Sequence, residues 1–131
     1  MILLDSDVLI EILNKNSRIK DLLIAKIEKD GDQVATTAIN FQEILYGILK
    51  RKNITELNKN HLIYSFDVIP FTKRDAEIAA RVEFILEKSG KKKPKGDILI
   101  ASIAIRTGSK LFTLNKKHFK DIPELNLFNK F

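Results

Sequence analysis

Residues 1–13 read MILLDSDVLIEIL, and this stretch contains the pattern that decides the fold. Residues 2–4 are Ile-Leu-Leu, an apolar run that predicts a short buried strand ending at Asp5. Residues 8–13 then favour a helix. Short apolar strands that alternate with helices are typical of α/β folds, in which the sheet is mainly parallel.

The rest of the chain continues this alternation. Helices are predicted over residues 18–27, 38–50, 55–64, 73–88 and 98–105, with Ser17, Thr37, Thr72 and Asp97 as candidate N-caps, and strands over residues 33–36, 66–71, 110–113 and 126–128. The helix at 98–105 is apolar on nearly every side, so it belongs in the protein interior. No linker or repeat divides the chain, so we expect a single α/β domain over residues 1–131.

The charge is concentrated in one region. The chain has 23 Lys and Arg against 17 Asp and Glu, a formal net charge of +6. Residues 88–95, here called the lysine loop, contain five lysines, and without them the net charge falls to +1. This loop is either an ordinary solvated segment or a patch that attracts phosphates, depending on what lies beside it.

Several function classes are excluded by composition. The chain contains no Cys, which excludes a disulfide framework, a thiolate metal site and a Cys nucleophile. Apolar runs are far shorter than the roughly 20 residues that a membrane span needs. Asp5 and Asp7 interrupt the first apolar run before a signal-peptide core forms, so we expect a soluble cytoplasmic protein. His61 and His118 lack zinc-ligand spacing and are expected to be surface or packing residues.

Three carboxylates are the candidates for chemistry. In parallel sheets, ligands bind at the carboxyl ends of strands, and Asp5 follows the first predicted strand directly. Glu43 lies on the polar side of its predicted helix, where Gly47 indicates close approach of another element, because glycine inside a helix costs about 1 kcal/mol relative to alanine. Asp97 precedes the buried helix. Each also has a purely structural interpretation: a turn or cap for Asp5, a solvated face for Glu43, and an N-cap for Asp97.

A set of carboxylates without His or Cys suits a hard cation, and Mg²⁺ or Mn²⁺ would fit it. Such a site can polarise a phosphodiester, activate a water and stabilise the leaving oxygen. In the lysine loop, the candidates for contacts with backbone phosphates are Lys91, Lys92, Lys93 and Lys95. The combination indicates hydrolysis of a nucleic-acid backbone.

Four motifs carry a resemblance to a known family. They are LLDSDVLIEIL (3–13), NFQEILYG (40–47), GDILIAS (96–102) and LFTLNKKHF (111–119). In this order and spacing they resemble PIN-domain nucleases, and in particular the VapC-type toxin ribonucleases of prokaryotic toxin–antitoxin pairs. The resemblance implies a Rossmann-like sheet with helices on both faces, Mg²⁺- or Mn²⁺-dependent cleavage of RNA, a homodimer, and a cognate antitoxin that blocks the site.

The resemblance also assigns roles by position. Asp5, Glu43 and Asp97 match the three acidic metal-site residues of the family. Asn115 falls where many members have a fourth acidic residue; an amide can orient water or bind a metal weakly, but it adds no charge. Asp7 and Thr113 match polar positions near that site, and Asn40, on the same helix side as Glu43, is a further candidate for a supporting role.

Two alternatives remain at this point. The sequence DSDVL (5–9) also resembles the first motif of haloacid-dehalogenase-type phosphatases, which need a later pair of acidic residues after a strand. Here Asp97 follows Lys-Pro-Lys-Gly, and position 101 is Ala. The second alternative is a non-catalytic RNA- or partner-binding domain in which the carboxylates are only caps.

Overall fold

A computed structural model of the chain describes residues 1–129. Its five strands are β1 (Ile2–Leu4), β2 (Val34–Thr37), β3 (Val68–Ile69), β4 (Lys110–Phe112) and β5 (Asn126–Leu127). Its helices are α1 (Ser6–Leu13), α2 (Ser17–Asp30), α3 (Ala38–Lys52), α4 (Lys73–Lys88) and α5 (Lys95–Thr107). The strands form one parallel sheet in the order β3-β2-β1-β4-β5. The predicted α/β fold with a mainly parallel sheet is confirmed.

Apolar side chains cover both faces of this sheet. Successive side chains of a strand point to opposite faces. In β1, Leu3 therefore packs into one apolar cluster with residues of α4 and α5, whereas Ile2 and Leu4 pack into a second cluster with residues of α1, α2 and α3. Helices on both faces are what the resemblance implied. As the central strand, β1 carries Asp5 at its carboxyl end to the middle of the sheet edge.

The helix predicted over residues 55–64 is wrong. This region contains only a short 3₁₀ turn, Leu62–Ser65. Side chains here accept hydrogen bonds from backbone N–H groups that in a helix would bond to backbone carbonyls. Asn58 Oδ1 accepts from Asn60 N at 2.9 Å, and His61 Nδ1 accepts from Ile63 N at 3.1 Å. Ile63 still anchors the segment, since its side chain is fully buried.

Three predicted helix starts also differ, and α1 begins at Ser6, two residues before its predicted start at residue 8. Asn16 caps α2 in place of Ser17, because its Oδ1 accepts from the backbone of Arg18. Helix α5 begins two residues before Asp97, after an extended Pro94, so Asp97 lies in the first turn and makes no cap bond. The cap interpretation of Asp97 is therefore wrong. Strand bounds differ from the predictions by one residue at most, except for β3, which is shorter.

Within residues 1–129, no helix is both long enough and apolar enough to cross a membrane.

Candidate active site

Asp5 is the centre of a hydrogen-bond network at the carboxyl edge of the sheet. The residue is 9% exposed, and it is the N-cap of α1, since Oδ1 accepts from Ser6 N at 2.9 Å. The same oxygen accepts from Asn40 Nδ2 at 2.9 Å, and Oδ2 accepts from Thr113 Oγ1 at 2.8 Å. The cap interpretation of Asp5 is thus correct but incomplete, because side chains of α3 and of the segment after β4 also converge on it.

Asn40 connects Asp5 to Glu43. Its side chain is fully buried, its Oδ1 accepts from Thr37 Oγ1 at 2.7 Å, and its Nδ2 also donates to Ser6 Oγ at 2.9 Å. Ser6 Oγ in turn donates to Glu43 Oε2 at 3.2 Å. This relay orients the exposed Glu43 carboxylate toward the Asp5 edge. Sequence reasoning missed Ser6, although its place between two acidic residues could have indicated it.

Asp7 joins the first turn of α1 to the segment after β4. Its carboxylate accepts from Leu114 N at 3.1 and 3.2 Å, and Thr113 Oγ1 lies 3.3 Å from its Oδ2. Thr113 is buried and serves both Asp5 and Asp7. The structure therefore brings the predicted supporting residues Asp7, Asn40 and Thr113 into contact with Asp5 or its partners.

Asp97 belongs to α5, which packs on the opposite face of the sheet from α1 and α3. Its Oδ2 is buried and has no hydrogen-bond partner within residues 1–129. The nearest basic group is His118 Nδ1, 3.5 Å away and outside hydrogen-bond geometry. A Cβ added to the preceding Gly96 would lie 3.9 Å from Glu43 Oε1, so the start of α5 lies against the Glu43 side chain. An orphaned buried carboxylate oxygen is unusual and calls for a cation or a donor.

The acidic groups interact electrostatically. Desolvation by burial is the main cause that raises the pKa values of Asp7, Glu43 and Asp97, and repulsion from Asp5 raises all three further. Asp97 also raises the pKa of Glu43. Within residues 1–129, no three acidic or histidine side chains stand close enough to enclose a metal ion as they are. The mutual repulsion and the orphaned oxygen nevertheless fit a hard cation, which would offset the like charges.

These shifts predict a pH dependence of stability for the metal-free protein. A carboxyl whose pKa is raised by folding contributes stability when protonated, and that contribution is lost as pH rises through the folded pKa. In the Asp97→Asn variant, the side chain at position 97 is neutral at every pH. The variant's free energy of unfolding relative to the wild type is therefore expected to increase as pH rises above about 4. Denaturant unfolding in EDTA measures this difference, and a difference that is constant or falls with pH would contradict it.

Asn115 lies against His118 and Thr113. Its amide Nδ2 lies 3.3 and 3.4 Å from the two ring nitrogens of His118, and its backbone N donates to Thr113 Oγ1. Within the described residues it makes no hydrogen bond to Asp5, Glu43 or Asp97. His118 stands between Asn115 and Asp97, with its side chain 52% exposed. Sequence analysis treated His118 as a surface or packing residue, although its spacing of three from Asn115 could have linked the two.

Three of the four candidate lysines of the lysine loop lie in ion pairs. Lys95 Nζ lies 2.6 Å from Glu83 Oε2. Lys93 is only 14% exposed and lies 3.5 Å from Asp121, and Lys91 lies 3.8 Å from the same carboxylate. Of the four candidate lysines, Lys92 alone lacks an ion pair within residues 1–129. Much of the local positive charge is therefore neutralised by the protein itself.

The fold and the site together define the class of this protein. It is an α/β domain with a five-stranded parallel sheet and several carboxylates at the carboxyl edge of that sheet. The sequence matches the PIN domain family over residues 2–125, and the chain belongs to this family. The resemblance seen in the four motifs is thereby confirmed. The alternative resemblance to phosphatases finds no support, because Asp97 lies in the first turn of a helix and not after a strand.

Similar proteins come from several bacteria. The chain is 32% identical over 133 residues to Ribonuclease VapC2 of Rickettsia felis, covering 97% of this chain and 96% of that protein. A structure of VapBC2 from Rickettsia felis, bound to a DNA fragment from their promoter, is similar with a TM-score of 0.81, 27% identity and 98% of both chains covered. The structure of FitAcB from Neisseria gonorrhoeae is similar with a TM-score of 0.79 and 26% identity, and the match covers 99% of this chain and 98% of that chain.

Proposed function

We propose that this protein is a metal-dependent endoribonuclease and the toxin of a toxin–antitoxin pair. The observation that carries the proposal is the arrangement around Asp5, in which Glu43 and Asp97 approach a hydrogen-bonded carboxylate and one buried oxygen of Asp97 is left without a partner. The similarity to Ribonuclease VapC2 over nearly the whole of both chains supports RNA as the substrate. An RNA substrate also supports a cytoplasmic location.

Asp5, Glu43 and Asp97 would hold Mg²⁺ or Mn²⁺. Such an ion, when bound, polarises the phosphodiester and lowers the pKa of a bound water. Asp5 is suited to the role of fixed ligand, since donors from α1, α3 and the segment after β4 hold its carboxylate in place. Asn40 and Thr113 would act through Asp5 as positioning residues.

The remaining site residues would act on the substrate side. Asn115 would orient a water or a phosphate oxygen, because its amide is exposed and adjacent to His118. Asp7 would hold the segment after β4 against α1.

Positive charge near the site would guide RNA. Lys91, Lys92, Lys93 and Lys95 remain the proposed contacts in the lysine loop, but their expected contributions differ. Lys92 is free to bind a phosphate, whereas Lys95 would first have to leave Glu83. Lys93 contributes mainly through its fixed charge, which opposes the desolvation that raises the pKa of Asp97.

Two protein partners are proposed. The similar VapBC structures support a cognate antitoxin that covers the site. A homodimer is supported by apolar side chains on the outer side of α4, where Phe84 is 60% exposed and Ile85 is 39% exposed. Exposed apolar side chains that form a contiguous patch are typical of an interaction surface.

The direct test is incubation of the purified protein with a mixed RNA pool in Mn²⁺ or in EDTA. We expect internal cleavage in Mn²⁺ and none in EDTA. Salt-sensitive RNA binding without cleavage in any divalent metal would instead favour the non-catalytic alternative. Cleavage at an undiminished rate in EDTA would contradict the metal-dependent mechanism.

A further inference from the structure

A cavity of about 670 Å³ lies between α1, α2 and the segment after β4. Ile19, Leu22 and Leu114 form its apolar part, and Leu114 is 43% exposed although it is a large aliphatic residue. Small-molecule sites are typically concave, mostly apolar and roughly 300–1,000 Å³ in volume. This cavity, here called the α1–α2 pocket, is therefore large enough for a nucleobase with its sugar.

The α1–α2 pocket adjoins the acidic site. Leu114, which lines the pocket, donates its backbone N–H to Asp7 at 3.1 and 3.2 Å. The preceding residue, Thr113, donates to Asp5. A strand whose phosphate lies at the carboxylates would therefore bring a neighbouring nucleotide to this pocket.

Part of the polar lining of the α1–α2 pocket has no hydrogen-bond partner within residues 1–129. Glu11 accepts from Asn16 through Oε2, and Oε1 has no hydrogen-bond partner within residues 1–129. Over the same residues, Arg18 and Asp21 line the pocket without a side-chain hydrogen bond or ion pair. Asn16 is occupied, because it caps α2 and donates to Glu11. Two carboxylates and one guanidinium are thus available to a ligand.

This set of groups favours guanine over uracil. Carboxylates accept hydrogen bonds, and guanine presents two adjacent donors, N1–H and N2–H, that one carboxylate can accept together. Its O6 and N7 are acceptors that suit an arginine. Uracil offers a single N–H donor between two carbonyl acceptors, which a carboxylate would face unfavourably. A free phosphate is disfavoured by the two carboxylates.

We propose that the α1–α2 pocket binds one unstacked guanine of the RNA beside the cleaved bond, and thereby determines which phosphodiester is cut. Sequence-specific recognition of single-stranded RNA generally uses the hydrogen-bonding edges of such splayed bases. The proposal rests on the proposed function for its role in cleavage, whereas guanine binding itself can be measured independently. Glu11 and Asp21 are the specificity-determining carboxylates, and Arg18 contacts the opposite edge of the base.

The first experiment maps cleavage sites in a random RNA pool by sequencing the fragment ends. Wild-type fragments are expected to show guanine at one fixed position relative to the cut. The double variant Glu11→Gln/Asp21→Asn should lose at least about fivefold of this preference. The double variant Glu28→Gln/Asp67→Asn, which makes the same chemical changes outside the pocket, should keep it. An unchanged preference in the pocket variant, or no guanine preference in the wild type, would overturn the proposal.

The second experiment does not require cleavage. Guanosine and uridine 5′-monophosphates are titrated in EDTA into ¹⁵N-labelled protein, and the amide shifts of Leu22 and Leu114 are followed. We expect the guanine nucleotide to bind at least about fivefold more tightly, with the difference lost in Glu11→Gln/Asp21→Asn. Equal binding of both nucleotides, or shifts at these amides only when a partner protein is added, would overturn guanine recognition. Selective guanine binding by a protein that cleaves no RNA would retain the pocket and refute the proposed function.

Discussion

The Asp97→Asn variant is expected to lose RNA cleavage by at least about 100-fold while being at least as stable as the wild type. Loss of a group that only supports a metal ligand typically costs 10–100-fold, and loss of a ligand should cost more. The fold should be unaffected, because Asp97 Oδ2 has no hydrogen-bond partner within residues 1–129 and Asp97 makes no cap bond to α5.

The stability of this variant is as informative as its activity. Asparagine removes one of several carboxylates that repel one another, so the free energy of unfolding in EDTA should be equal to that of the wild type or higher by up to about 1 kcal/mol. Asp67→Asn, on the exposed connection before β3, is the matched control and should change neither quantity. Wild-type cleavage by Asp97→Asn would exclude Asp97 from the site. A marked loss of stability would assign it a structural role instead.

The Asp75→Ala variant is expected to lose about 3 kcal/mol of stability, near the lower end of what removal of one partner from a buried ion pair costs. Asp75 is fully buried, and its Oδ1 accepts from Arg106 Nε at 2.6 Å. Its Oδ2 accepts from the backbone N and the hydroxyl of Thr72 at 2.8 and 3.0 Å, which completes the capping box of α4. The lower figure applies because Arg106 is 26% exposed and can regain water.

Thermal and denaturant unfolding measure this loss, which corresponds to a decrease in Tm of about 10 °C for a chain of this size. The matched control is Glu77→Ala on the same helix. Glu77 is exposed and lies 3.7 Å from Arg74, a surface pair expected to contribute less than about 1 kcal/mol. Equal effects of the two variants would show that the Asp75–Arg106 contact does not hold α4 and α5 together.

The sequence predicted the features that depend on local pattern. The alternation of short apolar strands with helices indicated the parallel sheet, and the end of the first strand placed Asp5 at its carboxyl edge. The four motifs identified the family. The order of the strands was not predictable in this way, since pairing of β1 with both β2 and β4 depends on contacts between distant residues.

Features that depend on side-chain partners were predicted less well. The sequence identified the lysines of the lysine loop but not their partners, because Asp121 and Glu83, which pair with three of them, are distant in sequence. The contact of His118 with Asp97 was not predictable from local pattern, because the two residues are distant in sequence. The prediction of a helix over residues 55–64 was wrong because the pattern of apolar residues does not show that the side chains of Asn58 and His61 bond to the backbone.

The most direct test of the central claim is a titration of Mn²⁺ into the wild type, Asp97→Asn and Asp67→Asn, with free Mn²⁺ followed by electron paramagnetic resonance. If Asp5, Glu43 and Asp97 hold the ion, the wild type and Asp67→Asn should bind Mn²⁺ with the same Kd, and Asp97→Asn should bind at least about tenfold more weakly. An Asp97→Asn variant that binds Mn²⁺ as tightly as the wild type, or a wild type that binds none, would contradict the assignment of these carboxylates as a metal site.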